Sequence, residues 1–271
     1  MTLKAGVIGW PISHSKSPLI HSFWIQSLGL NATYEAIAIE PENFVAGVYD
    51  LIKKGFQGAN VTIPHKEAAF QICDARSERA QKIGAVNTLV FRKGQIFGDN
   101  TDGEGFLQNI TTNHPTWSVK NGPALVIGAG GASRAIICAL IEVGCPEIRI
   151  WNRTFARAKR LQSEFGKPSL AWMDTLDKAC EGASFLVNTT SLGMKGQDDL
   201  VIDLSGLNKG ALVTDIVYTP LITPLLCAAK ASGFPVVDGF GMLLHQAVPG
   251  FEYWFGVRPA VTEKLRKAVL K

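Results

Sequence analysis

What the chain lacks narrows the field first. Its five cysteines (Cys73, Cys138, Cys145, Cys180 and Cys227) are scattered, odd in number and form no Cys-x-x-Cys pair. Neither a disulfide frame nor a zinc site is therefore expected, and reduced thiols in a cytoplasmic protein are. No apolar run reaches the ~18 residues that a membrane helix needs. The closest candidate, Pro123 to Pro146, is broken by Arg134 and Glu142. The N-terminal apolar stretch runs straight into Ser13-His14-Ser15-Lys16-Ser17 with no small-residue cleavage site, so no signal peptide is expected. Charge of one sign is also scarce. Lys plus Arg number 27 and Asp plus Glu 23, a formal +4 that does not cluster. That balance argues against nucleic acid as a partner and leaves a few basic residues for an anionic small molecule. Repeats and low-complexity tracts are missing, as is any His/Cys/Asp/Glu set at metal-ligand spacing.

What is present is an ordinary globular balance: 271 residues, 46% hydrophobic and 18% charged. At ~150 residues per domain this suggests two domains. The first hundred residues alternate strand and helix patterns. Ala5 to Gly9 reads as a buried strand. Ser17-Pro18 looks like an N-cap followed by proline at the first helical position, and Gly29 closes that helix. Tyr34 to Ile39 and Ala59 to Ile63 read as further strands, separated by a helix from Pro41 to Gly55, and a helical stretch is expected from Pro64 to about Gly84. Val86 to Phe91 and Gln95 to Gly98 form a hairpin at Lys93-Gly94. The alternation then restarts with strands at Ala124 to Ile127, Glu147 to Trp151, Phe185 to Asn188, Ala211 to Val217 and Pro235 to Val237. Strands separated by helices imply βαβ units and a parallel sheet. From Phe240 onward the chain reads as helical, with a C-terminal helix expected to pack back on the first domain.

Gly128-x-Gly130-x-x-Ser133 follows an apolar strand and opens a helix. A dinucleotide-binding turn needs this context: the first glycine makes the turn, the second lets backbone approach the pyrophosphate, and the helix start offers free N–H groups. Serine at the third position departs from glycine or alanine but is still small. The bland alternative is a glycine-rich loop without a ligand. About 20 residues on, NAD-binding folds carry an acidic residue for the ribose 2′-hydroxyl. Here Asn152 stands 24 residues after Gly128, followed by Arg153, Thr154 and Arg157. Two guanidinium groups and a hydroxyl suit a 2′-phosphate, which a carboxylate would repel, so NADP is favoured over NAD. The alternative, a solvated helix start, places cations where the helix dipole disfavours them.

Four polar clusters fall at strand ends or turns: Ser13 to Ser17, Asn60 to Lys66, Ala85 to Thr88, and Gly98 to Gly103. Each has a structural reading. Ser17 and Asp102 serve as helix caps, Asn87 as a turn residue and Lys66 as a solvated lysine. Together, beside a nucleotide-binding unit, they point to a site for a polyhydroxylated carboxylic acid. His14 and His65 read as local hydrogen-bonding residues.

These motifs, with Asn152-Arg153-Thr154 and Asp238-Gly239-Phe240-Gly241-Met242-Leu243, resemble the shikimate dehydrogenase family over nearly the whole chain. The resemblance implies NADP-linked, reversible reduction of 3-dehydroshikimate to shikimate, on the way to chorismate and the aromatic amino acids. It implies an α/β fold of two domains. A substrate domain with a mostly parallel sheet would span 1–103 plus 240–271, and a Rossmann-like NADP domain would span 104–239, with the active cleft between them. By the same resemblance, Ser15 and Ser17 hold the substrate carboxylate. Thr62, Asn87, Asp102, Tyr218 and Gln246 meet its hydroxyls and carbonyl, and Lys66 is the acid/base residue assisted by Asp102. Gly128, Ala129, Gly130, Gly131, Ala132, Asn152, Arg153, Thr154, Phe155, Ala156, Arg157, Ile216 and Gly239 fall on cofactor positions, and Glu78 on a further one. Ile216 replaces the methionine frequent in relatives, apolar for apolar.

Two rivals stand beside this reading. A quinate/shikimate dehydrogenase using NAD would carry aspartate at position 152. A non-catalytic NADP-sensing regulator would have lost the lysine or the aspartate, and both are here. Whether the chain forms a homodimer is left open by the sequence.

Overall fold

A computed structural model describes residues 2–167 and 169–270. The chain divides into two compact units. One comprises the residues up to Gly105 together with those from Leu244 onward, and the other is Phe106–Leu243.

The first unit contains strands β1 (Leu3–Gly9), β2 (Ala32–Ala38), β3 (Phe56–Val61), β4 (Ala75–Arg76), β5 (Thr88–Arg92) and β6 (Gln95–Asp99). Helices α1 (Ser17–Ser27), α2 (Phe44–Lys53), α3 (Lys66–Ile72) and α4 (Glu78–Ile83) connect them, and α5 (Asp102–Asn113) follows β6. The sheet order is β2-β1-β3-β5-β6-β4. Strands β1–β2, β1–β3 and β4–β6 pair parallel, while β3–β5 and β5–β6 pair antiparallel. The hairpin turn is Lys93-Gly94, both at positive φ (51° and 78°), as a two-residue type I′ turn requires.

The core of this unit shows why these elements form. Phe44, Val48 and Leu51 recur at helical spacing on α2 and pack with Ile8, Ala59, Val61 and Leu89 of the sheet, all buried. Two local expectations are corrected. The stretch from Pro64 to Gly84 is not one helix: β4 interrupts it, because Ala75 and Arg76 pair with Phe97 and Gly98. Lys16, not Ser17, occupies the N-cap of α1; Ser17 is the first helical residue, followed by Pro18, and no side chain caps the helix.

The second unit contains β7 (Ala124–Ile127), α6 (Gly131–Glu142), β8 (Ile148–Trp151), α7 (Phe155–Phe165), β9 (Leu170–Trp172), α8 (Leu176–Cys180), β10 (Phe185–Asn188), β11 (Leu212–Asp215), α9 (Pro224–Ala231) and β12 (Val236–Val237). Its six strands run β12-β11-β10-β7-β8-β9 and pair parallel throughout. From β9 to β12 this is the doubly wound order 3-2-1-4-5-6. Strands β7 and β10 are entirely buried, which suits their near-continuous apolar runs in a sheet covered on both faces. β9 is absent from the sequence-based expectations, since Leu170-Ala171-Trp172 lacks the β-branched residues that mark the still shorter β12.

Two helices close the chain, α10 (Phe240–Phe255) and α11 (Glu263–Leu270). The part from Leu244 onward packs on the first unit. Trp254 Nε1 donates to Leu89 O at 2.9 Å, Trp24 Nε1 to Ala260 O at 3.0 Å, and Lys16 Nζ to Val269 O at 2.7 Å. Among the described residues no helix is long and apolar enough to cross a membrane.

Candidate active site

In the first unit, the four polar clusters of the sequence are joined by hydrogen bonds. Lys66 is the first residue of α3, and its Nζ is paired with Asp102 Oδ2; the two side chains are only 14% and 5% exposed. A solvated lysine would not be held this way. Asp102 begins α5, but its carboxylate accepts from Lys66 and, at 2.8 Å, from Asn87 Nδ2. The capping alternative for Asp102 therefore falls away.

Asn87 is buried between β5 and α5, and every polar atom of its side chain is used. Its Oδ1 accepts from Thr101 N at 2.9 Å and Thr88 Oγ1 at 2.9 Å. Its Nδ2 donates to Thr101 Oγ1 at 3.0 Å, to Asp102, and to Gln246 Oε1 at 3.3 Å. Thr101 Oγ1 in turn donates to Gln246 O at 2.7 Å. Gly105 permits this approach of α10, since a Cβ there would lie 2.7 Å from Gln246 N.

The network extends to the serine cluster through Asn60, which opens one of the four polar clusters, and through Tyr34, which the sequence did not single out. Asn60 Nδ2 donates to Asn87 O and Thr88 Oγ1, both at 3.3 Å, and Asn60 Oδ1 accepts from the Tyr34 hydroxyl at 2.7 Å. Burial holds the Tyr34 phenol well above its ordinary pKa, with the Ser17 hydroxyl beside it acting the other way. An amide in a strand flanked by apolar residues is the sequence signal for Asn60. Tyr34 offers none, because its contact is set by β2 lying beside β1. Ser15 Oγ accepts from Ser17 N at 3.3 Å. Thr62 sits at the end of β3, where a Cβ on Gly9 would come within 2.6 Å of its Cγ2.

Behind this cluster, Asp99 anchors the Gly98–Gly103 segment. Its buried carboxylate accepts from Arg79 Nε at 2.7 Å, Asn100 N at 2.8 Å and Tyr253 Oη at 3.0 Å. Burial alone would raise its pKa; the bonds from Arg79 and Ser77 more than offset this and hold it below the usual carboxylate range. His65 is buried, which lowers its pKa, and its Nε2 donates to Ile39 O at 2.8 Å, tying the start of α3 to a segment 26 residues earlier. Glu78 is the exposed first residue of α4.

In the second unit, β7 leads into Gly128-Ala129-Gly130 and the start of α6. The two glycines are needed for different reasons. Gly128 has φ +119°, and a Cβ on it would lie 2.4 Å from Thr189 Oγ1, so the protein itself demands glycine there. Gly130 has φ −104°, is exposed, and a Cβ on it would meet nothing within 4 Å. Among the described residues nothing requires glycine at that position. Open space in front of unpaired first-turn amides fits a pyrophosphate approaching the backbone.

At the end of β8, Asn152 Nδ2 donates to Thr154 O at 2.9 Å. Arg153, Phe155, Ala156 and Arg157 are exposed, and neither arginine makes an ion pair with a described residue. Unpaired cations at the start of α7 suit a phosphate ligand. Ile216 and Gly239 are brought together: a Cβ on Gly239 would lie 2.4 Å from Ile216 O. Tyr218 lies in the segment after β11, held by Asp215, whose carboxylate accepts from Val217 N, Asn188 Nδ2 and Thr223 Oγ1 at 2.8–3.0 Å. Among the described residues no group of three or more His, Cys, Asp or Glu is placed to hold a metal ion.

A parallel doubly wound unit with a dinucleotide-type turn, in one chain with a part-buried lysine–aspartate pair set among amides and hydroxyls, is the architecture of a dinucleotide-dependent oxidoreductase. Residues 7–89 match the shikimate dehydrogenase substrate binding domain, residues 111–195 the shikimate/quinate 5-dehydrogenase domain, and residues 239–270 the shikimate 5′-dehydrogenase C-terminal domain. The chain is 52% identical to the NADP(+) shikimate dehydrogenase of Ruegeria sp. over 98% of its own length and 97% of the relative's. Its structure is similar to that of shikimate dehydrogenase from Aquifex aeolicus (TM-score 0.90, 36% identity, 100% of this chain and 98% of that one). It is also similar to shikimate 5-dehydrogenase from Thermus thermophilus in complex with NADP(H) and shikimate (TM-score 0.88, 39% identity, 99% of both chains). The chain belongs to the shikimate dehydrogenase family.

Proposed function

We propose that this protein is an NADP-dependent shikimate dehydrogenase, reversibly reducing 3-dehydroshikimate to shikimate, and that the residues up to Gly105 with those from Leu244 onward bind substrate while Phe106–Leu243 binds the cofactor. The observation that carries the reading is the Lys66–Asp102 pair, part-buried and joined through Asn87 to Gln246, in a family member whose glycine turn is open at Gly130.

NADPH, when bound, supplies the hydride that reduces a ketone carbon. The protein's own work is binding and proton transfer. Lys66 donates a proton from its ammonium Nζ to the carbonyl oxygen as the new C–H bond forms, becomes a neutral amine, and regains the proton from solvent. In the oxidative direction the neutral amine removes the same hydroxyl proton. Asp102 Oδ2 holds Nζ in place, and the carboxylate also accepts from a substrate hydroxyl. Ser15 and Ser17 bind the substrate carboxylate; Thr62, Asn87, Tyr218 and Gln246 contact its ring oxygens. Arg153, Thr154 and Arg157 hold the 2′-phosphate beside Asn152. The Gly128–Ala132 turn receives the pyrophosphate, Phe155 and Ala156 border the adenosine end, and Ile216 and Gly239 border the nicotinamide. Glu78 is a further cofactor contact. The reducing cofactor and the free thiols fit a cytoplasmic setting.

The test is direct: protein, shikimate and NADP are mixed and absorbance is followed at the NADPH band. A rise with shikimate and NADP is expected. No rise, or equal rates with quinate and NAD, defeats the reading.

A further inference from the structure

Ser133 stands where a dinucleotide-binding turn has glycine or alanine for close helix–strand packing, and it is fully buried. It sits in a line of three contacts. Gly130 N donates to Ser133 Oγ at 3.1 Å, Ser133 Oγ lies 2.6 Å from Thr189 Oγ1, and Thr189 Oγ1 lies 2.7 Å from Ile127 O. Counting protons fixes the direction. A carbonyl only accepts, so the one hydroxyl proton of Thr189 goes to Ile127. Thr189 must then accept from Ser133, and Ser133, its own proton spent, accepts from the Gly130 amide. The line runs one way, from the second glycine of the turn to the carbonyl of the last β7 residue. The Thr189 backbone amide donates to the same carbonyl at 2.8 Å.

We infer that Thr189, acting through Ser133, is a positioning residue for the pyrophosphate turn. This rests on the NADP reading above. Thr189 orders the turn before any ligand arrives, which lowers the conformational cost of binding. It also commits the Gly130 amide inward, so the anion is received by the other first-turn amides of α6. The tie is made by side chains 56 residues apart, outside the reach of any local turn motif. Without the Thr189 hydroxyl, Ser133 loses its acceptor, and its proton competes with the Gly130 amide for the same space.

The experiment compares wild type, Thr189→Val and Thr189→Ser by calorimetric titration of the cofactor-free protein with NADP. Separate titrations use shikimate, and hydrogen exchange is measured at the Gly130 amide. Thr189→Val is expected to bind NADP about tenfold more weakly, the size of one lost buried hydrogen bond. Shikimate binding should stay within twofold, and Gly130 exchange should speed up about tenfold. Thr189→Ser should restore all three. Ser133→Ala should weaken NADP similarly, and adding it to Thr189→Val should cost little more, since both break one line of bonds. NADP binding within twofold of wild type in Thr189→Val overturns the inference. So does a serine variant as weak as valine, or an equal loss of shikimate affinity. A wild type that binds no NADP defeats the cofactor reading and this inference together, whereas normal binding in the valine variant defeats this inference alone.

Discussion

The Thr101 backbone amide donates to Asn87 Oδ1 at 2.9 Å, and this bond decides which end of the Asn87 amide faces Asp102. A backbone N–H can only donate, so the oxygen must point at Thr101 and the NH₂ group at the Asp102 carboxylate. The two carboxylate oxygens then have separate duties, Oδ1 to Asn87 and Oδ2 to Lys66. Lys66 is thus held by a carboxylate that is itself held.

Lys66→Ala should lower turnover by about 10²–10⁴, the range of general acid–base assistance, with shikimate binding comparatively intact. Steady-state kinetics in the oxidative direction measure both. Near-normal turnover would remove Lys66 from the chemistry.

Ser15→Ala and Ser17→Ala should weaken substrate capture, each by about 1.5–3 kcal/mol, the worth of a hydrogen bond to a charged carboxylate. The NADP Michaelis constant should not move. Because Lys16 holds the N-cap position of α1, loss of a helix cap does not confound the Ser17 result. Unchanged shikimate Michaelis constants in both variants would take the serines out of the site.

Cofactor choice should reverse when Asn152→Asp is combined with neutral residues at Arg153 and Arg157. Charge-assisted bonds to the 2′-phosphate are lost, and a repelling carboxylate is added. Catalytic efficiency with NADP should fall while that with NAD persists or rises. A wild type that uses both cofactors equally would instead favour the NAD-linked rival.

His21 should make the fold acid-sensitive. Its ring is fully buried, stacks on Tyr34 at 3.8 Å between centroids, and has neither nitrogen hydrogen-bonded among the described residues. Burial lowers its pKa from the ordinary 6.5 to about 3, against a smaller opposing effect of the neighbouring Asn60 amide, which stands outside hydrogen-bond geometry to the ring. Between those values the unfolded chain binds a proton that the folded one refuses. Stability is therefore retained above pH 6.5 and lost as pH falls toward 3, by about 1.4 kcal/mol per pH unit. From pH 7 to pH 5 this amounts to about 2 kcal/mol. Urea unfolding of wild type and His21→Phe at both pH values should show that difference shrinking in the variant. Equal pH dependence in the two proteins would show that His21 does not titrate this way.

Much of the site could be read locally. The glycine turn declares itself because a strand, a tight turn and a helix start lie within a dozen residues. The Lys93-Gly94 hairpin does so because a glycine-containing pair separates two strand-like apolar runs by only two residues. Lys66 and Asp102 stood out as polar residues at strand and helix junctions. What failed were the features with few local contacts. Strands β4 and β9 span two and three residues and exist only because a neighbouring strand is there to pair with. The cap of α1 falls one residue before the serine that suggested it.

The sequence by itself determined the periodicities, the glycine turn with its basic follow-on, and the residue types gathered at strand ends. These are short-range matters, settled by backbone sterics and side-chain chemistry within a few positions. Only the tertiary structure decided which oxygen of Asp102 meets Lys66, which way the Asn87 amide faces, and that Tyr34 and Asn60 link Ser17 to that pair. Only it decided that Gly128 is required by Thr189 while Gly130 faces open space. The physical reason is common to all of them. A buried polar group must find a partner, and across parallel strands that partner comes from a segment tens of residues away, whose position is set by sheet order and not by any local pattern.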